Sequence, residues 1–346
     1  MRFRSGLVIL SGVLLAMAIT GMASRFAMAE DEFVIAIHGG GGVRPRGEMT
    51  AELDADYRKA LKASLTAGYE MLQNGGDSVA AVEAAIRVME DSPLFNAGRG
   101  SSYNRDGIIQ MDASIMNGKT SDAGAVAVVQ RVRHPITLAR AIMEESPHVM
   151  MADVGALEFA NSRGLEIMAP HYFHTERKWD SLQRRLRQQT EYGKSPEKTA
   201  STGEHPDYSA FGTVGAVAMD KKGNLAAGTS TGGREGKLHG RIGDSPIIGA
   251  GTYANNATLA ISSTGLGEYV IRIVGAKDMS DLMEYKELEM EEAVRTVMRK
   301  IANMGGSISA VAVDANGQVV MPHSGNGMYR GYVREDGTYV IRIYSE

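Results

Sequence analysis

The chain of 346 residues contains no cysteine. It therefore has no disulfide bond, no thiolate metal site and no cysteine nucleophile. Its eight histidines show no HExxH or other metal-ligand spacing, which argues against a transition-metal hydrolase. Acidic residues outnumber basic ones, and the formal net charge of −4 excludes a general nucleic-acid binder and a basic face for anionic lipid. Any catalytic chemistry must therefore rest on other side chains.

The first 29 residues have the pattern of a secretory signal peptide. Arg2 and Arg4 give a basic start, an apolar run extends from Gly6 to Thr20, and Ala27-Met28-Ala29 has the small-x-small pattern of a cleavage site. The apolar run is short for a membrane span, which favours cleavage over an uncleaved anchor. Because an exported protein without cysteine fits a bacterial periplasm, we expect a periplasmic protein that has left the membrane.

Glycine is abundant, with 41 residues against 6 % aromatics, and this predicts many tight turns and close backbone approaches. Strands are predicted for residues 33–37, 123–129 and 211–219, and helices for about 51–72 and from Asp77 onward. These elements come in groups rather than in strict βαβ alternation. The grouping favours antiparallel sheets that are covered by helices.

A polar segment of about 171–212 separates two more apolar parts of the chain. It is rich in charged and amide residues and poor in large aliphatics. We expect a polar helix near Lys178 to Gln189, followed by a mobile stretch, because long structureless segments within a compact fold are uncommon and often functional or disordered.

Two glycine-containing stretches are candidates for chemistry. The run from His38 to Gly42 lacks the Lys-Ser/Thr ending of a phosphate-binding loop, so we interpret it as tight backbone beside an active site. Thr213 follows Gly212 at the start of an apolar strand. If the chain cuts itself between these two residues, the threonine hydroxyl becomes a nucleophile and its own freed amine the base. Taken alone, Thr213 is more often an ordinary β-branched strand residue.

Six further motifs decide between these interpretations. They span residues 92–100, 111–118, 229–233, 240–246, 249–256 and 263–268. In this order, together with Thr213, they resemble the plant-type asparaginases, also called isoaspartyl peptidases, of the N-terminal nucleophile hydrolase superfamily. The resemblance covers nearly all of the chain after the signal peptide. It implies an α+β fold of that superfamily, a four-layer αββα sandwich in which Thr213 opens a central strand.

The resemblance also implies roles for individual residues of a catalytic site. Thr213 matches the nucleophile and Thr231 a second threonine whose hydroxyl supports it. Asn96 matches an asparagine that helps to place the amine. Thr264 and Gly265 match an oxyanion hole formed by one hydroxyl and one backbone N–H.

The substrate-binding residues implied by the resemblance are Arg241, Asp244 and Gly267. An arginine fork binds a carboxylate and an aspartate accepts from an ammonium, so the first two could hold the α-groups of aspartate. The backbone carbonyl of Gly267 would touch the same ammonium. In isolation, Arg241 and Asp244 would be an ordinary surface pair. A loop from Met89 to Arg99 matches one that wraps a structural sodium ion through backbone carbonyls, and no catalytic cofactor is implied.

These matches imply a self-cleaving amidohydrolase with an α subunit of residues 30–212 and a β subunit of residues 213–346. It would release L-aspartate from β-aspartyl dipeptides and L-asparagine, and it would pair as a dimer of αβ heterodimers. Two alternatives stay open. One is an aspartylglucosaminidase that acts on glycosyl-asparagine, although those enzymes usually carry Asp where this chain has Gly212. The other is an uncleaved periplasmic protein that binds an aspartate-like ligand.

Overall fold

A computed structural model of the chain describes residues 32–192 and 212–345. The predicted signal peptide, residues 1–29, and the stretch 193–211 lie outside the described residues. Within these two ranges, no helix has both the length and the apolar character needed to cross a membrane.

The described residues form eight α-helices and twelve β-strands. The helices are α1 (Ala51–Gln73), α2 (Ser78–Asp91), α3 (Pro135–Glu145), α4 (Asp153–Ser162), α5 (Glu176–Tyr192), α6 (Gly267–Ile273), α7 (Gly275–Lys286) and α8 (Met290–Asn303). The strands are β1 (Val34–Gly41), β2 (Met111–Asn117), β3 (Ala123–Val129), β4 (Met150–Ala152), β5 (Val214–Met219), β6 (Leu225–Thr231), β7 (Thr252–Ala254), β8 (Leu259–Gly265), β9 (Ile308–Asp314), β10 (Val319–Val320), β11 (Gly327–Arg334) and β12 (Tyr339–Tyr344).

The strands form two sheets. The larger has eight strands in the order β12-β11-β1-β5-β6-β2-β3-β4, and the smaller has four in the order β10-β9-β8-β7. Every strand pair is antiparallel except β3 with β4, which is parallel. The antiparallel sheets expected from the grouping of elements are thus confirmed.

The two sheets pack face to face, and helices cover both outer faces. Helices α1, α2 and α3 pack on the larger sheet, while α7 and α8 pack on the smaller one. Strands β5 and β6 contact β8 across the interface between the sheets. The architecture is therefore the α+β, four-layer αββα sandwich that the resemblance implies.

Side-chain caps explain where the first two helices begin. The Thr50 hydroxyl accepts from the backbone N–H of Leu53 at 3.1 Å, and the Asp77 carboxylate accepts from that of Ala80 at 2.7 Å. Such caps satisfy N–H groups that have no partner within the helix. The chain turns between the helices at Gly75, whose φ of +84° favours glycine. Both predicted helices are confirmed.

Strand β1 is buried on both faces, as its unbroken apolar run predicts. Ile35 and Ile37 belong to the core under the helices, whereas Val34 and Ala36 face the other sheet. Successive side chains of a strand point to opposite faces, which accounts for this division. A strand buried in this way fits the middle of a sheet between two covering layers.

The strand predicted for residues 33–37 continues further than expected, through the glycine run to Gly41. Its register with β11 shifts between His38 and Gly40. Gly40 has φ +105°, and a Cβ at this position would lie 2.9 Å from the Cα of Gly212. The glycines therefore let this end of β1 run directly beside the Gly212–Thr213 peptide.

The polar segment begins as ordered structure. A 3-10 turn at Pro170–Phe173 precedes α5, which includes the helix predicted near residues 178–189. Leu182 anchors α5 with only 1 % of its surface exposed. The mobile stretch predicted after the helix and through Gly203 is wrong for its first residues, because α5 continues to Tyr192, and the rest of it lies outside the described residues. The subunit boundaries at 212 and 213 stay predictions.

Candidate active site

Thr213 lies at the centre of the larger sheet, directly before β5. It is joined to Gly212 in this structure, which therefore describes the site in the uncut chain. The side chain is nearly buried, with 8 % of the residue exposed. Its hydroxyl donates to the hydroxyl of Thr231 at 3.0 Å, at the end of the neighbouring strand β6. The structure thus brings together the two threonines predicted to act together.

The carbonyl oxygen of Gly212 is held by two donors. Nδ2 of Asn96 donates to it at 2.7 Å, and the Thr231 hydroxyl donates to it at 3.1 Å. Asn96 is itself fixed, because its Oδ1 accepts from the N–H of Ser102 and its Nδ2 also donates to the carbonyl of Gly233, both at 2.7 Å. Fixed donors of this kind polarise a carbonyl and prepare it for attack.

Thr264 and Gly265 lie at the end of β8, in the smaller sheet. The Thr264 hydroxyl accepts from the N–H of Gly41 at 3.4 Å. A Cβ at Gly265 would lie 2.3 Å from the carbonyl oxygen of Ser307, so only glycine fits there. The end of β1 therefore lies between this pair and the Gly212–Thr213 peptide.

Arg241, Asp244 and Gly267 also meet in space. A Cβ at Gly267 would lie 2.7 Å from both the N and the Oδ1 of Asp244. Asp244 is buried, and its Oδ2 has no hydrogen-bond partner among the described residues. The backbone carbonyl of Asp244 accepts from the N–H of Gly251. The carbonyl of Gly251 in turn accepts, at 2.9 Å, from the N–H of Ser263, the residue before Thr264. These contacts tie Asp244 and Gly267 to the end of β8. Together with Arg241 they are the residues predicted to bind the charged groups of a substrate, and we call them the clamp.

Arg241 makes a contact that sequence reasoning missed. Its Nε and Nη2 donate to the two carboxylate oxygens of Glu268, each at 2.9 Å. Glu268 directly follows Gly267 in the last of the six motifs, and that position is the signal that could have pointed to it. The guanidinium is therefore already held on one edge, while Nη1 faces Gly243.

The comparisons with known proteins agree with this geometry. A family model described as asparaginase matches residues 31–343. The chain belongs to this asparaginase family. The "Isoaspartyl peptidase" of Salmonella typhimurium is 45 % identical over 315 residues, which cover 90 % of this chain and 99 % of that protein. The "Isoaspartyl peptidase" of Escherichia coli is 44 % identical over 314 residues, with 90 % and 96 % covered. The "Plant-type L-asparaginase" of Pyrococcus furiosus is 38 % identical over 303 residues, with 87 % and 96 % covered.

Burial and charge set the protonation of the clamp in this asparaginase-family site. Burial raises the pKa of Asp244 to about 6, and the Arg241 guanidinium opposes that rise. Burial also acts to raise the pKa of Glu268, but Arg241 outweighs it and holds that pKa below its ordinary value. At neutral pH both carboxyl groups are therefore ionised. Asp244 is then a buried anion that lacks a hydrogen-bond partner for one oxygen among the described residues.

The loop from Met89 to Arg99 is rich in backbone oxygens. A Cβ at Gly100 would lie 1.9 Å from the carbonyl oxygen of Phe95 and 3.0 Å from those of Pro93 and Ser92. Oxygen ligands suit a hard cation. In the described part of this asparaginase-family chain, no cluster of His, Cys, Asp or Glu could hold a metal ion. The carbonyl oxygens that converge near Gly100 are the candidate ligands of a cation at this loop.

Glu90 lies beneath the site and is fully buried. Its Oε1 accepts from the hydroxyl of Ser230, the neighbour of Thr231, at 2.6 Å, and from the N–H of Ile136 at 3.1 Å. Burial raises the pKa of Glu90 to about 8, although the Ser230 hydroxyl opposes the rise. The carboxyl group is therefore mostly protonated at neutral pH.

This buried carboxyl predicts a loss of stability in mild alkali. Because the pKa is higher in the folded than in the unfolded chain, its stabilisation is complete below the unfolded pKa and is lost as the pH rises through about 8. Between about pH 7 and pH 9, we expect Glu90 to lower the free energy of unfolding by about 1.4 kcal/mol. Thermal unfolding of Glu90→Gln should lack this contribution, while the exposed control Glu144→Gln should keep it. Identical pH profiles for wild type and Glu90→Gln would contradict the assignment.

Proposed function

We propose that the chain is a self-cleaving amidohydrolase that acts on β-aspartyl dipeptides and L-asparagine and releases L-aspartate. The observation that carries this proposal is the hydroxyl of Thr213, which contacts Thr231 while Thr231 and Asn96 hold the carbonyl of Gly212. A nucleophile, a supporting hydroxyl and a polarised carbonyl thus share one site. The curated relatives named isoaspartyl peptidase support the same reaction class.

Self-cleavage begins with the Thr213 hydroxyl. Its oxygen attacks the carbonyl carbon of Gly212, the C–N bond to Thr213 breaks, and the proton of the hydroxyl passes to the leaving nitrogen. The product is an ester between Gly212 and the Thr213 side chain. Water then hydrolyses this ester, which leaves a carboxylate on Gly212 and a free α-amine on Thr213. The cut separates an α subunit of residues 30–212 from a β subunit of residues 213–346.

Hydrolysis of the substrate uses the same hydroxyl. The freed α-amine of Thr213, with an ordinary pKa of about 7.7–8.0, accepts the hydroxyl proton as the oxygen attacks the side-chain carbonyl of the substrate. The Thr264 hydroxyl and the Gly265 N–H stabilise the developing oxyanion. The leaving amine takes the proton, and water hydrolyses the aspartyl ester to release L-aspartate. Asn96 and Thr231, which hold the Gly212 carbonyl before the cut, keep the amine and hydroxyl in place.

The clamp selects an amino-acid substrate by its two charges. The Oδ2 of Asp244, which has no hydrogen-bond partner within residues 32–192 and 212–345, is an acceptor for the substrate ammonium, together with the carbonyl of Gly267. The α-carboxylate binds the guanidinium of Arg241 on the edge that Glu268 leaves open. An ionised Asp244 pairs with an ammonium ion, so recognition weakens as the pH falls below about 6.

Export, assembly and the subunit tail are further parts of the proposal. The basic and apolar pattern of residues 1–29 supports a periplasmic protein released from its signal peptide. The part of the polar segment that follows α5 would end the α subunit at Gly212. The family resemblance supports a dimer of αβ heterodimers.

We also propose that a sodium ion stabilises the loop from Met89 to Arg99. A site that is saturated about 100-fold stabilises a fold by about 2.7 kcal/mol. The melting temperature should therefore be higher in sodium chloride than in choline chloride of the same ionic strength. Gly100→Ala places a methyl group against the carbonyl of Phe95 and should remove this difference. Gly155→Ala is the control, because a Cβ there meets no atom within 4 Å. Equal melting temperatures of the wild type in both salts would contradict the proposal.

The proposed function is tested on the purified wild-type protein. Intact mass spectrometry with N-terminal sequencing should find one chain that begins near Glu30 and another that begins at Thr213. Release of aspartate is then compared for a β-aspartyl dipeptide, L-asparagine and a glycosyl-asparagine. The first two should be hydrolysed. Hydrolysis of the glycosyl-asparagine alone would establish the glycosidic alternative, and an uncut chain that binds but does not hydrolyse would establish a binding protein.

A further inference from the structure

A run of buried polar side chains crosses the otherwise apolar space between the two sheets. It comprises His38 on β1, Ser114 on β2, Thr229 on β6, Thr252 on β7 and Ser262 on β8, each with 0 % of its surface exposed. The neighbouring residues between the sheets are mostly valine and alanine. Buried hydroxyl groups cost stability unless they are hydrogen-bonded, so a continuous run of them calls for a physical reason.

The members of this run are linked by short contacts. Nε2 of His38 lies 3.0 Å from the hydroxyl of Ser262, which lies 2.6 Å from that of Thr229. Thr252 lies 2.5 Å from Thr229 and 2.8 Å from Ser114. Burial lowers the pKa of His38 to about 3, so the imidazole is neutral and the run carries no charge. Each of the four hydroxyl groups thus has a partner within the run.

The central contact of the run joins the two sheets beside the proposed catalytic groups. Thr229 lies two residues before Thr231, and Ser262 lies two residues before Thr264. Because side chains alternate along a strand, residues two apart point to the same face. The 2.6 Å contact between Thr229 and Ser262 therefore lies on the same strand faces as the hydroxyls of Thr231 and Thr264, two residues away from each along the chain.

The placement of the oxyanion hole depends on contacts between the sheets. Thr213 and Thr231 belong to the larger sheet, whereas Thr264 and Gly265 belong to the smaller one. Among the described residues, no backbone strand pairing joins these two sheets. Apolar packing is non-directional, whereas a hydrogen bond has a narrow range of distance and angle.

Strand β5, which directly follows Thr213, has a glycine where this contact needs space. A Cβ at Gly215 would lie 1.9 Å from the hydroxyl of Ser262 and 2.5 Å from Nε2 of His38. Gly215 therefore leaves the space in which Ser262 reaches Thr229. Strand β5 therefore packs directly against Ser262 and His38, two members of the run.

We propose that Thr229 and Ser262 are positioning residues for the catalytic site, and that their hydrogen bond sets the distance between Thr213 and the oxyanion hole. They touch no substrate and act through Thr231 and Thr264. This inference rests on the proposed function, because it assumes that Thr213 attacks and that Thr264 stabilises the oxyanion. It assigns a role to two residues outside the predicted site.

The test removes either hydroxyl with little change of volume. In Ser262→Ala and in Thr229→Val, kcat should fall by about 10- to 100-fold, since a misplacement of about 1 Å can cost about 100-fold in rate. KM should change much less than kcat, because in the described part of the chain neither hydroxyl makes a hydrogen bond to the side chains of Arg241 or Asp244. Thr229→Ser retains the hydroxyl and should restore most of the rate.

A matched control separates positioning from stability. Thr258 and Ser280 form another buried hydroxyl pair, with a 2.7 Å contact, where the turn before β8 meets α7. Ser280→Ala should lower the melting temperature about as much as Ser262→Ala does, without a loss of kcat. An unchanged kcat in Ser262→Ala and Thr229→Val, or an equal loss in Ser280→Ala, would overturn the inference.

Crystal structures give a readout that does not depend on activity. Superposed on β5 and β6, Ser262→Ala should show a displaced Thr264, whereas Ser280→Ala should match the wild type. A Thr264 that keeps its place in Ser262→Ala would refute the positioning role even if the wild type proved inactive. Lack of hydrolysis by the wild type would, in contrast, overturn the proposed function itself.

Discussion

Replacing Thr213 with alanine is expected to leave one uncut chain without hydrolase activity. The substitution removes the Thr213 hydroxyl, which lies next to the Gly212 carbonyl in the chain and donates to the hydroxyl of Thr231 at 3.0 Å. Loss of a nucleophile typically lowers kcat on the order of 10⁶-fold. Because the same oxygen is proposed to cut the chain and to attack the substrate, both functions should disappear together. Mass spectrometry reports the first and release of aspartate reports the second.

The matched variant is Thr213→Ser, which keeps a hydroxyl and loses only a methyl group. We expect it to cut itself and to hydrolyse substrate more slowly than the wild type. A Thr213→Ala chain that still yields a fragment starting at residue 213 would show that another group performs the cut. Hydrolysis by an uncut Thr213→Ala chain would place the nucleophile elsewhere.

Replacing Arg241 with glutamine should cause the next largest loss, and the loss should depend on the substrate. Removal of one partner of a partly or fully buried charge pair typically costs about 2–5 kcal/mol, which corresponds to about a 30- to 5,000-fold loss in kcat/KM. This loss should apply to L-asparagine, whose α-carboxylate is proposed to bind the guanidinium. It should be nearly absent for 3-aminopropanamide, which has the same side-chain amide but no α-carboxylate. Steady-state kinetics with both substrates measure the difference.

Arg58→Gln is the control for this substitution. Arg58 also pairs with a carboxylate, that of Asp54 at 2.6 Å, but it lies on α1 and is exposed. Its loss should leave kcat/KM unchanged for both substrates. An equal loss for L-asparagine and for 3-aminopropanamide in Arg241→Gln would mean that the arginine maintains the fold of the loop rather than binding the α-carboxylate.

The local elements were largely predictable because their signals are local. Thr50 and Asp77 cap α1 and α2 at the predicted places, and the apolar run of residues 123–129 forms β3 with the predicted bounds. The end of β1 was not predicted. A run of glycines has no side-chain periodicity. The strand continues there because β11 pairs with it as far as Gly41, whereas its pairing with β5 ends at His38.

The candidate site could be predicted as a set of residues but not as a set of contacts. The motifs identified Thr231 and Asn96, yet their shared hold on the Gly212 carbonyl depends on how β6 and the loop after α2 meet. The pairing of Arg241 with Glu268 joins residues 27 positions apart, and the motif that contains Glu268 does not by itself show that the two side chains meet. The same is true of the hydrogen bond between Thr229 and Ser262, which exists only because two sheets pack together.

The order of strands in the larger sheet has a consequence for how the protein comes apart. Strand β1 comes before residue 213 in the chain and lies between β11 and β5, which come after residue 213. Strand β6 comes after residue 213 and pairs with β2, which comes before that residue. Cutting the chain at this point would therefore turn unfolding into dissociation of two interleaved chains. The melting temperature of the cut protein should rise with protein concentration, whereas that of an uncut monomer should not. Refolding would likewise change from a unimolecular to a bimolecular process, so the cut form should recover poorly when it is diluted out of denaturant to a low protein concentration.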